Sequence, residues 1–217
     1  MSRRTALLLG IAFLAVGVAF ICLRRASAPE SVFEVTSQPV QLAPMCPWRD
    51  PEADLKRLFP SASRYERETR ILSGFRTELA QHLGRMPTAE ENVLQIYNIF
   101  AEEKLVGKVT VRRVKGTFGA VELVIATDVQ TRIAGVLVQR LREPPEIAEV
   151  IEGEAWHKRF EGKTASGSRN RDDLLAGLPA NTKRCAEAIV EGVHSALILL
   201  EASAHASVPA IAQTHKH

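Results

Sequence analysis

The sequence predicts an α+β domain, an antiparallel sheet with helices packed on it, preceded by one N-terminal transmembrane helix. Three features carry this prediction. The segments run in the order helices, four strands, helices. The strand-like runs follow one another across short gaps, which favours an antiparallel meander over crossover connections. Ala6 to Leu23 (ALLLGIAFLAVGVAFICL) is free of charge for eighteen residues, about 27 Å of helix against a hydrocarbon core of about 30 Å.

Arg3 and Arg4 precede the apolar run, and Arg24 and Arg25 follow it. The small residues at 26–28 offer a signal-peptidase site, but two arginines separate them from the apolar run, and no lipobox leads into Cys22. An uncleaved anchor over residues 1–25 is therefore expected, on the cytoplasmic membrane with the domain on the extracytoplasmic (periplasmic) side. Ala6, Gly10 and Gly17 give the helix small residues at spacings of four and seven, interrupted by Phe13 and Leu14. Residues 26–45, with three prolines and no helical period, read as an extended linker.

The folded part, residues 46–202, opens with a short helix at Pro51–Leu58 capped by Asp50. A second helix is expected at Ile71–Leu83, with Leu72, Phe75, Leu79 and Leu83 in helical spacing and Gly84 as its stop. Strands are expected at Val93–Phe100, Val106–Val114, Phe118–Asp128 and Ile133–Arg142, rich in β-branched and aromatic residues, with Val121, Leu123 and Ile125 on one face. A helix over Glu146–Phe160 and a polar loop over Thr164–Asp173 come next. The last helix, about Thr182 to Glu201, carries Cys185, Ile189, Val193, Ala196 and Leu200 as a buried stripe. Residues 203–217 read as a disordered tail in which THKH could at most hold a stray metal ion; His157 and His194 read as partly exposed surface residues.

Composition narrows the function. Residues 1–25 hold four of the 28 Lys and Arg and no acid, which leaves 24 cations against 25 Asp and Glu. A near-neutral soluble part removes the usual electrostatic basis for binding nucleic acid. Motifs for dinucleotides, P-loops, zinc hydrolases and serine nucleophile elbows are absent. Cys46 and Cys185 could pair in an oxidising compartment or remain free thiols.

Two stretches then point to a family. Lys108 to Glu143 ends in Arg142-Glu143-Pro144, and Trp156 is followed by Phe160-Glu161-Gly162-Lys163. In order and spacing these resemble the FMN-binding domain of flavoproteins in the Rnf and Na+-translocating NADH:quinone oxidoreductase complexes, across roughly residues 50–201. That family has a strand ending in RE-T/P-P-G, then W…F-x-G-K, then D-x-x-S/T-G-A-T-x-S/T opening the last helix. A transferase joins FMN through its phosphate to the threonine of that final motif.

Aligned on the helix, Pro179-Ala180-Asn181-Thr182 stands where S-G-A-T should, with Ala176 in place of the aspartate and Arg184 in place of the last hydroxyl residue; Glu146 replaces the glycine after the prolines. The resemblance thus implies Thr182 at the flavin phosphate and Glu143 near the ring, with Lys183 and Arg184 able to hold a phosphate at the helix N-terminus. The bland alternative makes Asn181 or Thr182 an ordinary N-cap with both cations in solvent. FMN is possible, and the altered loop favours its absence. The expected role is a flavin-less accessory subunit of a membrane-bound redox or energy-transducing complex, partnered by the membrane and by other subunits. The alternative is an anchored electron-transfer flavoprotein holding FMN at Thr182.

Overall fold

The structure is a computed structural model that describes residues 50–205. The predicted anchor, the linker with Cys46, and the tail beyond residue 205 lie outside the described residues. No helix among the described residues is long and apolar enough to cross a membrane.

Helix α1 (Glu52–Leu58) opens the fold, and the Asp50 carboxylate caps its first turn by accepting the Glu52 N–H at 2.9 Å. Strand β1 (Arg64–Ile71) follows, then α2 (Arg76–Leu83), β2 (Val93–Ala101), β3 (Lys104–Lys115), β4 (Ala120–Thr127) and β5 (Ile133–Leu141). Three short helices, α3 (Pro145–Ile151), α4 (Glu154–His157) and α5 (Arg171–Leu175), lead to the 26-residue α6 (Ala180–His205). The sheet has five strands, β1-β2-β3-β4-β5, each antiparallel to the next, so the meander expected from the short gaps is present.

One strand escaped the sequence reading. Arg64–Ile71 reads RYERETRI and lacks apolar alternation, yet all eight residues pair with β2, from Arg64 opposite Phe100 to Ile71 opposite Val93. It is an edge strand, and its charges suit an edge that must not recruit another chain. Ile71 therefore ends a strand rather than starting a helix, and a 3-10 turn at Ser73–Phe75 precedes α2. Gly84 closes α2 in the left-handed region, φ 69°, as expected. The helix expected over Glu146–Phe160 is broken: the chain is extended at Gly153, and a 3-10 turn at Lys158–Phe160 ends the segment. The polar loop is also not featureless, since α5 lies in it.

Helices cover both faces of the sheet. On one face α2 to α6 enclose the main core, where Val121, Leu123 and Ile125 of β4 meet the α6 stripe Cys185, Ile189, Val193, Ala196 and Leu200, all buried as the helical period requires. Gly192 lets α6 lie close on the sheet, because a Cβ there would strike Val114 Cγ1. On the other face Leu55 of α1 packs with Tyr97, Ile99, Val109, Val124, Ala126 and Leu137. Covered on both sides, β4 is buried from Val121 to Thr127, which explains its near-continuous apolar sequence. The helices packed on the sheet thus lie on both of its faces, α1 on one and α2 to α6 on the other.

The W…F-x-G-K stretch is a brace. Trp156 and Phe160 meet edge to face at 5.1 Å, and Trp156 Nε1 donates to the Leu174 carbonyl at 3.1 Å. Gly162, at φ 74°, donates to the Ile133 carbonyl at 2.7 Å, and the Ile133 N–H donates to the Lys163 carbonyl at 2.8 Å. This ties the chain after the short helices to the start of β5.

Candidate functional site

Three segments converge at one end of the sheet: the β3–β4 turn, the Arg142-Glu143-Pro144 segment after β5, and the first turn of α6. The turn closes through the Gly116 N–H to the Gly119 carbonyl at 2.8 Å. Glu143 folds over it, accepting the Phe118 N–H at 3.1 and 3.3 Å through its two oxygens. Gly116 leaves room for this contact, because a Cβ there would displace Glu143 Oε1 from its place over the turn. The Cys185 thiol is buried against this cap. Burial first, and then the Glu143 charge, push it up to about 12, with the Thr117 amide acting in the opposite sense. A thiol so held stays protonated and packs as a small hydrophobe rather than a nucleophile or metal ligand.

The four predicted site residues are only partly brought together. Glu143 reaches the start of α6 through Cys185, on whose thiol its charge acts. Thr182 does not present its hydroxyl. Its residue is 0% exposed, its N–H donates to the Pro179 carbonyl at 3.0 Å, and its Oγ1 has only Asn181 Oδ1 near, at 3.4 Å. Lys183 and Arg184 are exposed. At about 100° per residue, the hydroxyl and the two cations point to different sides of α6. The helix begins at Ala180, so Asn181 and Thr182 lie inside its first turn and neither is the N-cap of the bland reading.

Two polar clusters were not anticipated. The first is built on Glu91, 1% exposed, which takes Arg85 in a bidentate pair at 2.8 Å on each oxygen, Arg112 at 3.1 Å, and the Thr88 N–H at 2.8 Å. Burial alone would raise this carboxyl; the Arg85 and Thr88 hydrogen bonds and the Arg112 charge overcome it and hold it at about 2. Thr88-Ala-Glu-Glu91 is a capping-box pattern, so a signal for this cluster was present in the sequence.

The second cluster lines a cavity of about 260 Å³ beside α2, α5 and α6, with His82, Ser168, Arg171, Glu191 and His194 in its wall. Ser168 Oγ donates to the Ala165 carbonyl at 2.9 Å and lies 2.9 Å from His194 Nδ1. With its one hydrogen committed, the serine accepts from an Nδ1–H. His194, expected at the surface, is buried there; residue 194 falls on the core side of α6 and finds its polar partner inside. Arg171 pairs with Glu191 at the rim. No group of His, Cys, Asp and Glu among the described residues is arranged to hold a metal ion.

No family model matches the sequence, and no curated protein matches it. Among solved structures, one subunit of the Na(+)-translocating NADH-quinone reductase from Parabacteroides distasonis is similar, with a TM-score of 0.48 and 12% identity over 71% of this chain and 84% of that one. At that identity the likeness carries no residue-level correspondence.

Proposed function

We propose that this chain is a flavin-less accessory subunit of a membrane-bound redox or energy-transducing complex, anchored through residues 6–23 with its domain on the extracytoplasmic side. One observation carries the reading: the Thr182 hydroxyl is fully buried at the start of α6. A flavin phosphodiester there would place an anion in the apolar wall of the helix, where an unpaired charge costs several kcal/mol. The loop before it, Pro179-Ala180-Asn181, also lacks the glycine through which a backbone closely approaches a phosphate. What remains at this end of the sheet is a rigid surface with no group poised for chemistry: Cys185 is held protonated, and Glu143 is engaged with the Phe118 amide.

A second reading keeps one observation in its favour. Lys183 and Arg184 are exposed in the first turn of α6, where free N–H groups suit an anion. An electron-transfer flavoprotein that holds FMN non-covalently would use them. Intact-protein mass and the visible spectrum of the full chain, purified from its own membranes, decide between the readings. The accessory reading expects an unmodified mass, no flavin absorbance, and co-purification with other membrane chains in fixed ratio. A mass raised by one FMN less a water, lost in Thr182→Ala, overturns it; so does flavin colour released on denaturation and absent from the Lys183→Glu/Arg184→Glu variant.

A further inference from the structure

The same end of the sheet carries a feature that the accessory reading does not itself require. Phe118 is 69% exposed, more than any other described large apolar side chain. It tops a turn that is held from below: Gly116 N–H to Gly119 O closes it, both Glu143 oxygens face the Phe118 amide, and a Cβ on Gly119 would come within 2.6 Å of Arg142 Cβ. The ring is therefore presented at a fixed place on a rigid support.

Four cations stand on the segments that meet at this end of the sheet. Lys115 ends β3, Arg142 follows β5, and Lys183 and Arg184 stand on the first turn of α6, whose Cys185 lies against Glu143 and Thr117. All four are exposed, and none forms an ion pair with another described residue. The central acid, Glu143, is turned inward. In a soluble part with 24 cations against 25 anions, four unpaired cations on the three segments that converge beneath one exposed aromatic ring are a local departure from the balance of the whole.

We infer that this hairpin tip is the element by which the domain seats on a partner protein, the Phe118 ring entering an apolar slot while Lys115, Arg142, Lys183 and Arg184 meet carboxylates on its rim. The inference rests on the accessory-subunit reading and names the contact surface and the partner's chemistry. An exposed aromatic anchor with arginine on the segments that support it has the composition of an interface, and a pre-set backbone lowers the ordering cost of binding. A protein fits better than an anionic lipid surface for two reasons. A fluid bilayer gains little from a rigidly held ring. The exposed acids Glu146 and Glu187, close behind the cations on α3 and α6, shorten the reach of the positive field, so that discrete facing carboxylates are favoured over a diffuse negative plane.

The test places a photoreactive phenylalanine analogue at position 118 of the full chain in its native membranes. The expected result is one protein adduct mapped to an acidic segment. Lys183→Glu/Arg184→Glu lowers its yield at least tenfold, reversal of the mapped acids to Lys restores it, and Lys104→Glu at the opposite end of β3 leaves it unchanged. Adducts to lipid alone overturn the inference. If the chain still co-purifies in fixed ratio but the charge reversals leave adduct and retention unchanged, the hairpin inference falls and the accessory reading survives. A monomer that gives no protein adduct sinks both.

Discussion

Neutralising Glu91 while keeping its shape, Glu91→Gln, tests whether the buried ion cluster holds the segment before β2 onto β3 and α6. The carboxyl sits at about 2 in the folded chain against an ordinary 4.5, a difference worth about 3 kcal/mol at neutral pH. Part of this is offset at Arg112, which burial pulls below its ordinary value. The glutamine would leave Arg112, 13% exposed in its side chain, and Arg85 facing each other without the carboxylate between them; removing one partner of a buried pair costs about 3–5 kcal/mol. Both routes give about 3 kcal/mol, or a fall in Tm of about 6–12 °C for a chain of this size. The folded pKa is depressed, so the stabilisation is complete above the unfolded value of 4.5 and is lost as pH falls from there towards 2. Thermal melts of the full chain in mild detergent, followed by tryptophan fluorescence at pH 7 and in steps from pH 5 to 3, check both parts. Wild type should lose stability over the acid steps more steeply than Glu91→Gln. A variant melting within about 2 °C of wild type at pH 7, or with the same slope in acid, refutes the reasoning that the pair is a net stabiliser rather than a buried cost.

Three further outcomes are expected. Gly192→Ala should destabilise by about 1–3 kcal/mol in the same melts, since its methyl would strike Val114 Cγ1, and Val114→Ala should recover most of the loss. Cys185 in the native chain should resist alkylation at pH 8 and react fully in denaturant, because burial and Glu143 hold its thiol at about 12; fast native labelling would show an open site. Thr182→Val should leave melting within about 1 kcal/mol of wild type, since the hydroxyl is buried with a single long contact, whereas a clear loss of stability would reveal a hydrogen bond the geometry lacks.

The sequence made visible those parts of the fold that announce themselves by periodicity. The α6 stripe and the faces of β4 follow directly from spacings of 3.6 and 2, and both are buried as read. β1 did not show itself, because an edge strand exposed along its flank need not alternate; RYERETRI is fixed by its ladder to β2, a partner well separated along the chain. The break at Gly153 was hidden because Ile147, Ile151, Trp156 and Phe160 are all buried on either side of it, so a helical period persists through a chain that turns. The candidate site was legible in its residues, and in their directions only with the start of α6. The stripe of α6, carried back three residues from Cys185 and seven from Ile189, lands on Thr182 and passes over Lys183 and Arg184, so the burial of the hydroxyl follows from the phase of the helix once α6 is known to begin at Ala180.

The residues that carry the resemblance and those that depart from it divide along physical lines. Trp156, Phe160 and Gly162 brace the end of the chain to β5, and Glu143 with Gly116 locks the β3–β4 turn; substitution at any of these would open the core or free a turn. Ala176, Pro179, Ala180 and Asn181 are exposed, and their side chains add little to packing, so selection for the fold alone leaves them free to vary. Selection for a phosphate ester would not, because the ester needs a close-approach glycine and an accessible hydroxyl at these very positions. The consequence can be measured in the triple variant Pro179→Ser/Ala180→Gly/Asn181→Ala, which rebuilds the loop before Thr182. Its Tm should stay within a few degrees of wild type, since the altered side chains are exposed, and it should still yield no flavin adduct while the Thr182 hydroxyl stays turned into the core. An adduct formed on that rebuilt loop in the presence of a flavin transferase would mean that the loop alone, and not the burial of Thr182, had barred attachment.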